Sequence, residues 1–305
     1  MKNLIRRIGN FMLSDLMTGL REEVRQNRML MRRQIANQIM AVVDSLHNAQ
    51  FKVFSQNGED GIVQYLTNNI TIKNDTFVEF GVSNYQEANT RFLLLNNNWK
   101  GLVLDGSSEN INAIKNEELY WKHDLTGEQH FITKDNINSI ISGAGISGDI
   151  GLLSVDIDGN DYWVWQAIDI VQPRIVVCEY NSVFGCDHPI SVPYDKKFQK
   201  ANAHHSCLYF GASLPALCPL GEQKGYDFVG SDSTSINAFF VRSGLEHSLK
   251  RLSAKEGYVK SPHRESRDVQ GNLTFVSGDA PLGLIADMDV VNVTNNDVLT
   301  LGTIV

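Results

Sequence analysis

Two acidic residues stand at the ends of predicted strands, where a parallel sheet binds its ligand. The apolar run Thr76–Phe80 contains Glu79 and leads into Gly81, and a second apolar run ends at Asp105. Ligands of open α/β sheets lie at the carboxyl ends of the strands. Glu79 could accept a hydrogen bond from a ligand amine, and Asp105 could accept two from the hydroxyls of a ribose. Either acid alone could be a solvated loop carboxylate, but the pair indicates a binding site.

The loop after the first strand lacks the glycine pattern of a dinucleotide site. It begins Gly81-Val82-Ser83-Asn84, without the GxGxxG spacing that brings a backbone close to a pyrophosphate. S-adenosylmethionine carries an adenosyl group and an amine but no pyrophosphate. The two acids and this loop therefore predict S-adenosylmethionine as the cofactor.

Hard oxygen ligands follow the next two predicted strands. Asp156 and Asp158 come after the fourth strand, and Glu179 and Asn181 come at the fifth. We expect Asp156 to bind the cofactor and Asp158 to act in catalysis. Asp158, Glu179 and Asn181 could together bind Mg²⁺ or Mn²⁺. Alternatively, the two aspartates cap the following helix. EF-hand spacing is not met, because Ala167 occupies the position of the final glutamate.

An insertion at residues 182–208 separates the fifth strand from the next helix and contains adjacent histidines, His204 and His205. A loop at this place could build a substrate pocket, and a histidine can take a proton near neutral pH. Isolated loop histidines are more often surface residues. The adjacent pair is nevertheless the predicted base.

Short apolar runs alternate with helical stretches through the middle of the chain, which is typical of a parallel sheet with crossover helices. Strands are predicted at Thr76–Phe80, Gly101–Leu104, Gln129–Ile132, Leu152–Asp156, Ile175–Glu179, Tyr226–Gly230 and Ala238–Arg242. Helices are predicted at Gly58–Asn68, Ala88–Asn96, Glu109–Asn116, Asp135–Ser142, Asp161–Ile168 and Ser213–Gly225. Five strands with crossovers and two adjacent ones predict an α/β fold, with a doubly wound, Rossmann-like sheet of seven strands.

The two ends of the chain differ from this middle part. Apolar residues recur at helical spacing from Leu13 to Leu46 and predict a long amphipathic helix, broken near Gly19. This helix could pack on its own protein, pair subunits of a homo-oligomer or rest on a membrane surface. After Leu249 the sequence predicts short strands with turns, forming a small β-rich appendage. The predicted domains are an amphipathic helical extension at 1–48, an α/β domain with the cofactor site at 49–249 and a C-terminal appendage at 250–305.

Charge and cysteine content limit the class of substrate and the cellular compartment that the sequence predicts. The net charge is −8, and the first 48 residues hold eight Lys and Arg against four Asp and Glu, so the rest is strongly acidic. An acidic body disfavours a nucleic-acid substrate. The four cysteines show no CxxC pair, which favours reduced thiols in a cytoplasmic protein. The sequence has no run of about 18 apolar residues, so no membrane span is predicted. The first residues do not resemble a secretion signal.

Several motifs resemble those of the FkbM-type methyltransferases. They are FSQNGEDG at 54–61, VEFGVSN at 78–84, LVLDGS at 102–107, LLSVDIDGNDYWVW at 152–165, VVCEYN at 176–181, YFGAS at 209–213 and INAFFVR at 236–242. The resemblance covers about residues 51–245 and implies a class I methyltransferase fold with S-adenosylmethionine as methyl donor. It implies that the methionine end of the donor is surrounded by Ser55, Gln56, Glu79, Gly81 and Asn84. It further implies that Asp105 binds the ribose and that the segment 130–132, with Phe131, flanks the adenine.

We therefore predict an S-adenosylmethionine-dependent methyltransferase that acts on a hydroxyl or an amine of a small molecule or sugar. One alternative is a Rossmann-like oxidoreductase, which the missing GxGxxG pattern disfavours. Another is a catalytically silent methyltransferase-like module that binds partners through its N-terminal helix.

Overall fold

The computed structural model describes residues 45–304 and, in the first part of the chain, ten helical positions: 16, 17, 19, 20, 23, 24, 27, 30, 31 and 34. The chain divides into two compact units, residues 1–44 and residues 45–305. In the first unit, four apolar residues of the predicted stripe are exposed, namely Met17, Leu20, Val24 and Met31. The other stripe residues before Ser45 lie outside the described residues: Leu13, Ile35, Ile39 and Val42.

Seven of the ten strands in the described chain form one sheet. In chain order the strands are β1 (Thr76–Phe80), β2 (Lys100–Asp105), β3 (Leu125–Gln129), β4 (Gly148–Val155), β5 (Val171–Glu179), β6 (Ile190–Ser191), β7 (Tyr226–Ser231), β8 (Asn237–Arg242), β9 (Asp289–Asn292) and β10 (Asp297–Thr300). The order across the main sheet is β3-β2-β1-β4-β5-β8-β7, and β8 is antiparallel to both of its neighbours. The direction of strand succession reverses between β1 and β4, so ligands are expected beside the carboxyl ends of these two strands. This is the Rossmann-like sheet of class I methyltransferases, and the predicted fold class is confirmed.

Helices connect the strands at nearly the predicted places. In the described chain they are α1 (Leu46–Ala49), α2 (Glu59–Asn69), α3 (Arg91–Asn97), α4 (Ser108–Lys115), α5 (Glu118–Lys122), α6 (Ile137–Gly143), α7 (Asp161–Ala167), α8 (Lys200–Ala203), α9 (Leu214–Gln223), α10 (Ala254–Gly257) and α11 (Ala280–Leu284). Leu46, the last apolar residue of the predicted N-terminal stripe, begins the separate helix α1 and is buried.

The third strand lies earlier in the chain than predicted. It was expected at Gln129–Ile132, but β3 ends at Gln129 and pairs in register with β2, from Leu125 opposite Gly101 to Gln129 opposite Asp105. Because β3 is an edge strand, alternate residues face solvent and its sequence lacks the continuous apolar run of a central strand. The apolar residues after Gln129 instead follow the strand at the carboxyl edge of the sheet.

The core lies on both faces of the sheet. Every residue of β1 is buried, as expected for a parallel strand covered by helices on both sides. On one face, Trp165 of α7 packs on Phe240 of β8 with ring centroids 4.8 Å apart. In the described part of the chain, no helix has the length and apolar character needed to cross a bilayer.

A second, three-stranded sheet joins the insertion to the C-terminal tail. Its order is β10-β9-β6, so β6 from the insertion pairs with β9 from the tail, and β9 pairs with β10 as a hairpin. A small apolar core lies beneath it, formed by Phe184, Ile190, Val192, Tyr209, Ile285, Val290 and Leu301. The short strands predicted for the tail are confirmed, and their packing holds the tail against the insertion.

Candidate active site

A cleft of about 1300 Å³ opens at the carboxyl edge of the main sheet. Its walls come from the loop before α2, the ends of β1, β4 and β5, the insertion and the tail. Of the predicted site residues, those that line it are Gln56, Glu79, Gly81, Asn84, Phe131, Asp156, Asp158, Glu179 and Asn181. Ser55, Asp105, His204 and His205 lie outside its lining.

The loop after β1 must begin with glycine. Gly81 has φ +67°, and a Cβ there would lie 1.8 Å from the carbonyl oxygen of Asp156. Two further loop residues, Ser83 and Tyr85, also have positive φ, at 47° and 61°. Such backbone is unfavourable for residues other than glycine. The surrounding contacts therefore hold this loop in a constrained conformation beside β4.

Glu79 organises that loop from beneath. Its carboxylate accepts hydrogen bonds from the backbone N–H of Asn89 at 2.7 Å and of Thr90 at 3.0 Å, and from the Thr90 hydroxyl. Burial raises the pKa of Glu79 to about 7, although these hydrogen bonds oppose the rise. Both carboxylate oxygens thus contact the start of α3, while the side chain also borders the cleft.

Asp105 ties the end of β2 to the same loop. It accepts hydrogen bonds from Ser83 N–H at 2.9 Å, Ser107 N–H at 2.8 Å and the side-chain amide of Asn110 at 2.9 Å. The residue is nearly buried. Its carboxylate is therefore fixed in orientation at the carboxyl end of β2.

The FSQNGEDG segment is folded by its own acids. The Asp60 carboxylate accepts from the backbone N–H groups of Val53, Phe54 and Ser55 at 2.6, 2.7 and 2.9 Å. Burial raises the pKa of Asp60 to about 6 against these bonds. Ser55 is buried, and its hydroxyl accepts from Asp60 N–H, so it shapes the loop that presents Gln56 to the cleft.

Three carboxylates meet where β4 and β5 end. Oxygens of Asp156, Asp161 and Glu179 all lie within 4.8 Å of one another. Asp161 accepts from the N–H groups of Ile157 at 2.7 Å and Gly159 at 2.8 Å, so it organises the turn after β4. Burial raises the pKa values of Asp156 and Glu179, and the negative charge of each neighbour adds to the effect. Two such adjacent carboxyls favour sharing one proton.

Asp158 forms an ion pair across the cleft with Lys200 of the insertion, at 2.8 Å. The Lys200 ammonium also lies 3.8 Å from the ring centroid of Phe210. Burial alone lowers the pKa of Lys200, but the charges of Glu179 and Asp158 outweigh burial and raise it. Lys200 is therefore a cation beside the acidic cluster.

The metal ligands predicted from the sequence have other contacts. Asn181 donates its amide hydrogens to the carbonyls of Leu208 at 2.8 Å and Phe210 at 3.0 Å, and its amide oxygen accepts from Val183 N–H at 3.0 Å. Asp158 is paired with Lys200. The structure thus groups Glu179 with Asp156 and Asp161 rather than with Asp158 and Asn181.

The predicted histidine base does not face the cleft. The rings of His204 and His205 contact each other with centroids 4.2 Å apart and planes tilted by 40°, and His204 Nδ1 lies 2.7 Å from the Ser206 hydroxyl. Burial, and secondarily His205, lowers the pKa of His204. Cys207 and Leu208 line the cleft from this segment instead.

Sequence reasoning missed several lining residues. Glu59 and Asn237 stand inside recognised motifs, so their motifs were signals that could have placed them near the site. Lys200 carried no comparable signal. The tail residues on the opposite wall were missed because their role depends on long-range pairing; they include Tyr258, Lys260, His263, Glu265 and Arg267.

No family model matches the chain, and no curated protein matches it in sequence. Among solved structures, the N-terminal domain of EvdMO1, crystallised in the presence of SAH and D-fucose, has a TM-score of 0.39 and 10% identity, covering 72% of this chain and 97% of that one. A proposed O-methyltransferase from Klebsiella pneumoniae has a TM-score of 0.38 and 13% identity, covering 71% and 89%. TehB from Haemophilus influenzae has a TM-score of 0.33 and 9% identity, covering 61% and 68%. At TM-scores this low, the similarities establish neither a family nor an activity.

Proposed function

We propose that this protein is an S-adenosylmethionine-dependent methyltransferase of the FkbM type. The observation that carries the proposal is the cleft at the switch point of the sheet, which is bordered by carboxylates and by Gly81, where a Cβ would meet the backbone at the end of β4. A dinucleotide site would need a glycine-rich turn whose N–H groups bind pyrophosphate.

The charge of the cleft supports a cationic donor. In the part of the chain that the structure describes, eight acidic residues line it against three cations, Lys200, Lys260 and Arg267, and Lys200 is paired with Asp158. An excess of one sign of charge favours ligands of the opposite sign. The sulfonium of S-adenosylmethionine is positive, whereas the pyrophosphate of NAD is negative. Electrostatics therefore favours the methyl donor.

We keep four of the donor contacts that the sequence predicted. Gln56 and Asn84 would contact the methionine end, Asp105 the ribose, and Phe131 the adenine. Phe131 is 49% exposed and lines the cleft, which suits a ring that stacks on a base. A carboxylate offers about four lone-pair sites. Because Asp105 uses three on protein donors, two ribose hydroxyls would replace at least one, most simply Ser83 N–H.

The acceptor would enter from the side of the insertion and tail. Transfer breaks the sulfonium S–CH₃ bond and forms an O–CH₃ or N–CH₃ bond, while the acceptor's proton leaves to a base or to water. We propose that this occurs without a metal, with Asp158 orienting the acceptor. Two of the three predicted metal ligands have other partners, since Asp158 is paired with Lys200 and Asn181 forms three hydrogen bonds, and this supports the metal-free route.

A release assay tests the function. The protein is incubated with S-adenosylmethionine and a panel of sugars and small alcohols and amines, and S-adenosylhomocysteine is measured. We expect acceptor-dependent release that persists in EDTA. Release that is abolished by EDTA and restored by Mg²⁺ would contradict the metal-free route. Stabilisation by NAD and not by S-adenosylhomocysteine in a thermal-shift experiment would overturn the function itself.

A further inference from the structure

Two buried polar side chains lie on adjacent strands at the floor of the cleft. Glu179 ends β5, and Asn237 begins β8 directly opposite it in the antiparallel register. Directly opposed residues of an antiparallel pair project to the same face, with Cβ atoms about 5 Å apart. Glu179 is 7% exposed and Asn237 is 3% exposed, and both line the cleft.

Each side chain has a fully buried oxygen without a hydrogen-bond partner among the described residues: Glu179 Oε2 and Asn237 Oδ1. A buried polar atom left without a partner costs about 1–3 kcal/mol, so such atoms are uncommon unless they meet water or a ligand. Two of them on adjacent strands, both facing one cleft, indicate a binding position.

A neighbouring contact fixes which amide atom of Asn237 is left over. Asn237 Nδ2 lies 3.1 Å from Glu59 Oε1, and a carboxylate only accepts, so the amide nitrogen must face Glu59. Its oxygen is therefore the remaining atom. Carboxylate oxygens of Glu179 and Asp156 lie within 4.8 Å of each other. The floor thus presents two acceptors and, in the described chain, is bordered by the carboxyl groups of Glu59 and Asp156.

We propose that Glu179 and Asn237 form a subsite for a protonated amine, a role that rests on the proposed methyltransferase function. An ammonium supplies several N–H donors and a positive charge, which matches two adjacent acceptors within an acidic floor. The amine belongs to the methyl acceptor or to the methionine end of the donor. Both sources share this chemistry, and binding measurements distinguish them.

Two pairs of probes that differ by an amine test the subsite by calorimetry. One pair is S-adenosylhomocysteine and its analogue without the α-amino group. The other is D-glucosamine and D-glucose, titrated with and without saturating S-adenosylhomocysteine. We expect at least one amine-bearing probe to bind on the order of tenfold more tightly than its partner, since a charge-assisted bond contributes about one factor of ten. A preference in the first pair assigns the subsite to the donor, and one in the second pair assigns it to the acceptor.

Variants separate the subsite from general packing. Glu179→Met and Asn237→Ala should abolish the amine preference. Glu179→Gln should retain it, because the amide keeps an oxygen that can accept from the amine. Asn160→Ala is the matched control: Asn160 is equally buried and has an unpartnered Oδ1 among the described residues, but it lies outside the cleft lining.

The proposal is overturned if neither pair of probes shows a preference for the amine. It is also overturned if Glu179→Met and Asn237→Ala both leave the preference unchanged. If the disruptive variants fail to fold, the wild-type preferences and the Glu179→Gln result still decide the question. A protein that binds no S-adenosylhomocysteine but prefers glucosamine would contradict the proposed function while supporting the subsite.

Discussion

Asp105 accepts hydrogen bonds from two backbone amides and the Asn110 side chain, so its carboxylate is fixed in orientation at the end of β2. A fixed acceptor loses little entropy when a ligand hydroxyl binds to it. This residue therefore carries the sharpest single-residue test of the donor site.

We expect Asp105→Ala to weaken S-adenosylmethionine binding by about 1.5–3 kcal/mol, the range for lost hydrogen bonds to a charged group. Calorimetry on a folded variant measures the change. Asn110→Ala is the control, because it removes one partner of the acid and leaves the acid in place. An unchanged affinity in Asp105→Ala would remove the ribose assignment.

The buried carboxyl of Glu79 predicts a pH dependence of stability. Its pKa rises from 4.5 to about 7 in the folded protein, so the folded state binds the proton more tightly than the unfolded state. This contribution is fully present below pH 4.5 and is lost as the pH rises through about 7. The loss amounts to at most about 3 kcal/mol.

Denaturant unfolding of the wild type and Glu79→Gln at several pH values checks this sign. The free energy of unfolding of the wild type should fall more steeply between pH 4.5 and pH 7 than that of the variant. Parallel curves would show that Glu79 titrates normally in the folded protein.

At the scale of elements, Arg91 at the start of α3 holds the loop that follows β1. Its buried guanidinium donates to the carbonyl of Tyr85 at 2.6 Å and to Glu117 at 2.8 Å, and it lies over the rings of Phe54 and Tyr85. Tyr85 has positive φ, and its hydroxyl meets the same Thr90 that binds Glu79. Arg91 thus acts as a positioning residue for the donor loop.

Arg91→Lys keeps the charge and loses the planar fork of donors. We expect the KM for S-adenosylmethionine to rise about tenfold or more, with a smaller change in kcat, because the loop would no longer be held in advance of binding. Arg174→Lys is the matched control, since Arg174 is a similarly buried arginine paired with Asp149 near the opposite edge of the sheet. Equal effects of both variants on KM would indicate general destabilisation instead.

The main sheet could be predicted because its central strands are continuous apolar runs bounded by acids or glycines, as in β1 and β4. The edge strand β3 could not be placed, since a strand with one neighbour needs no such run. The strand β6 has only two residues, and its partner β9 lies about a hundred residues later, so only folding brings the tail onto the insertion. Lys200 was not predicted because only folding brings the insertion to Asp158. Glu79 and Asp158 were predicted because they lie beside predicted strand ends.

At the scale of the whole molecule, the cleft belongs entirely to the unit formed by residues 45–305. Apolar side chains are exposed on the helical residues of the first unit. We propose that they pair subunits, one of the three roles predicted from the sequence. This role and the unit that contains the cleft are separable by deletion.

Deleting residues 1–44 should leave S-adenosylhomocysteine binding unchanged while the sedimentation coefficient falls from that of an oligomer to that of a monomer. Analytical ultracentrifugation with a parallel calorimetric titration measures both. A full-length protein that already sediments as a monomer would end the pairing hypothesis.

The central claim is that the acid-lined cleft binds S-adenosylmethionine and not a dinucleotide. A calorimetric titration of the full-length protein with S-adenosylmethionine, followed by one with NAD, tests it most directly. We predict one saturable site for S-adenosylmethionine, competed by S-adenosylhomocysteine, and no measurable heat with NAD. Saturable binding of NAD, or no binding of S-adenosylmethionine to the folded protein, would contradict the account.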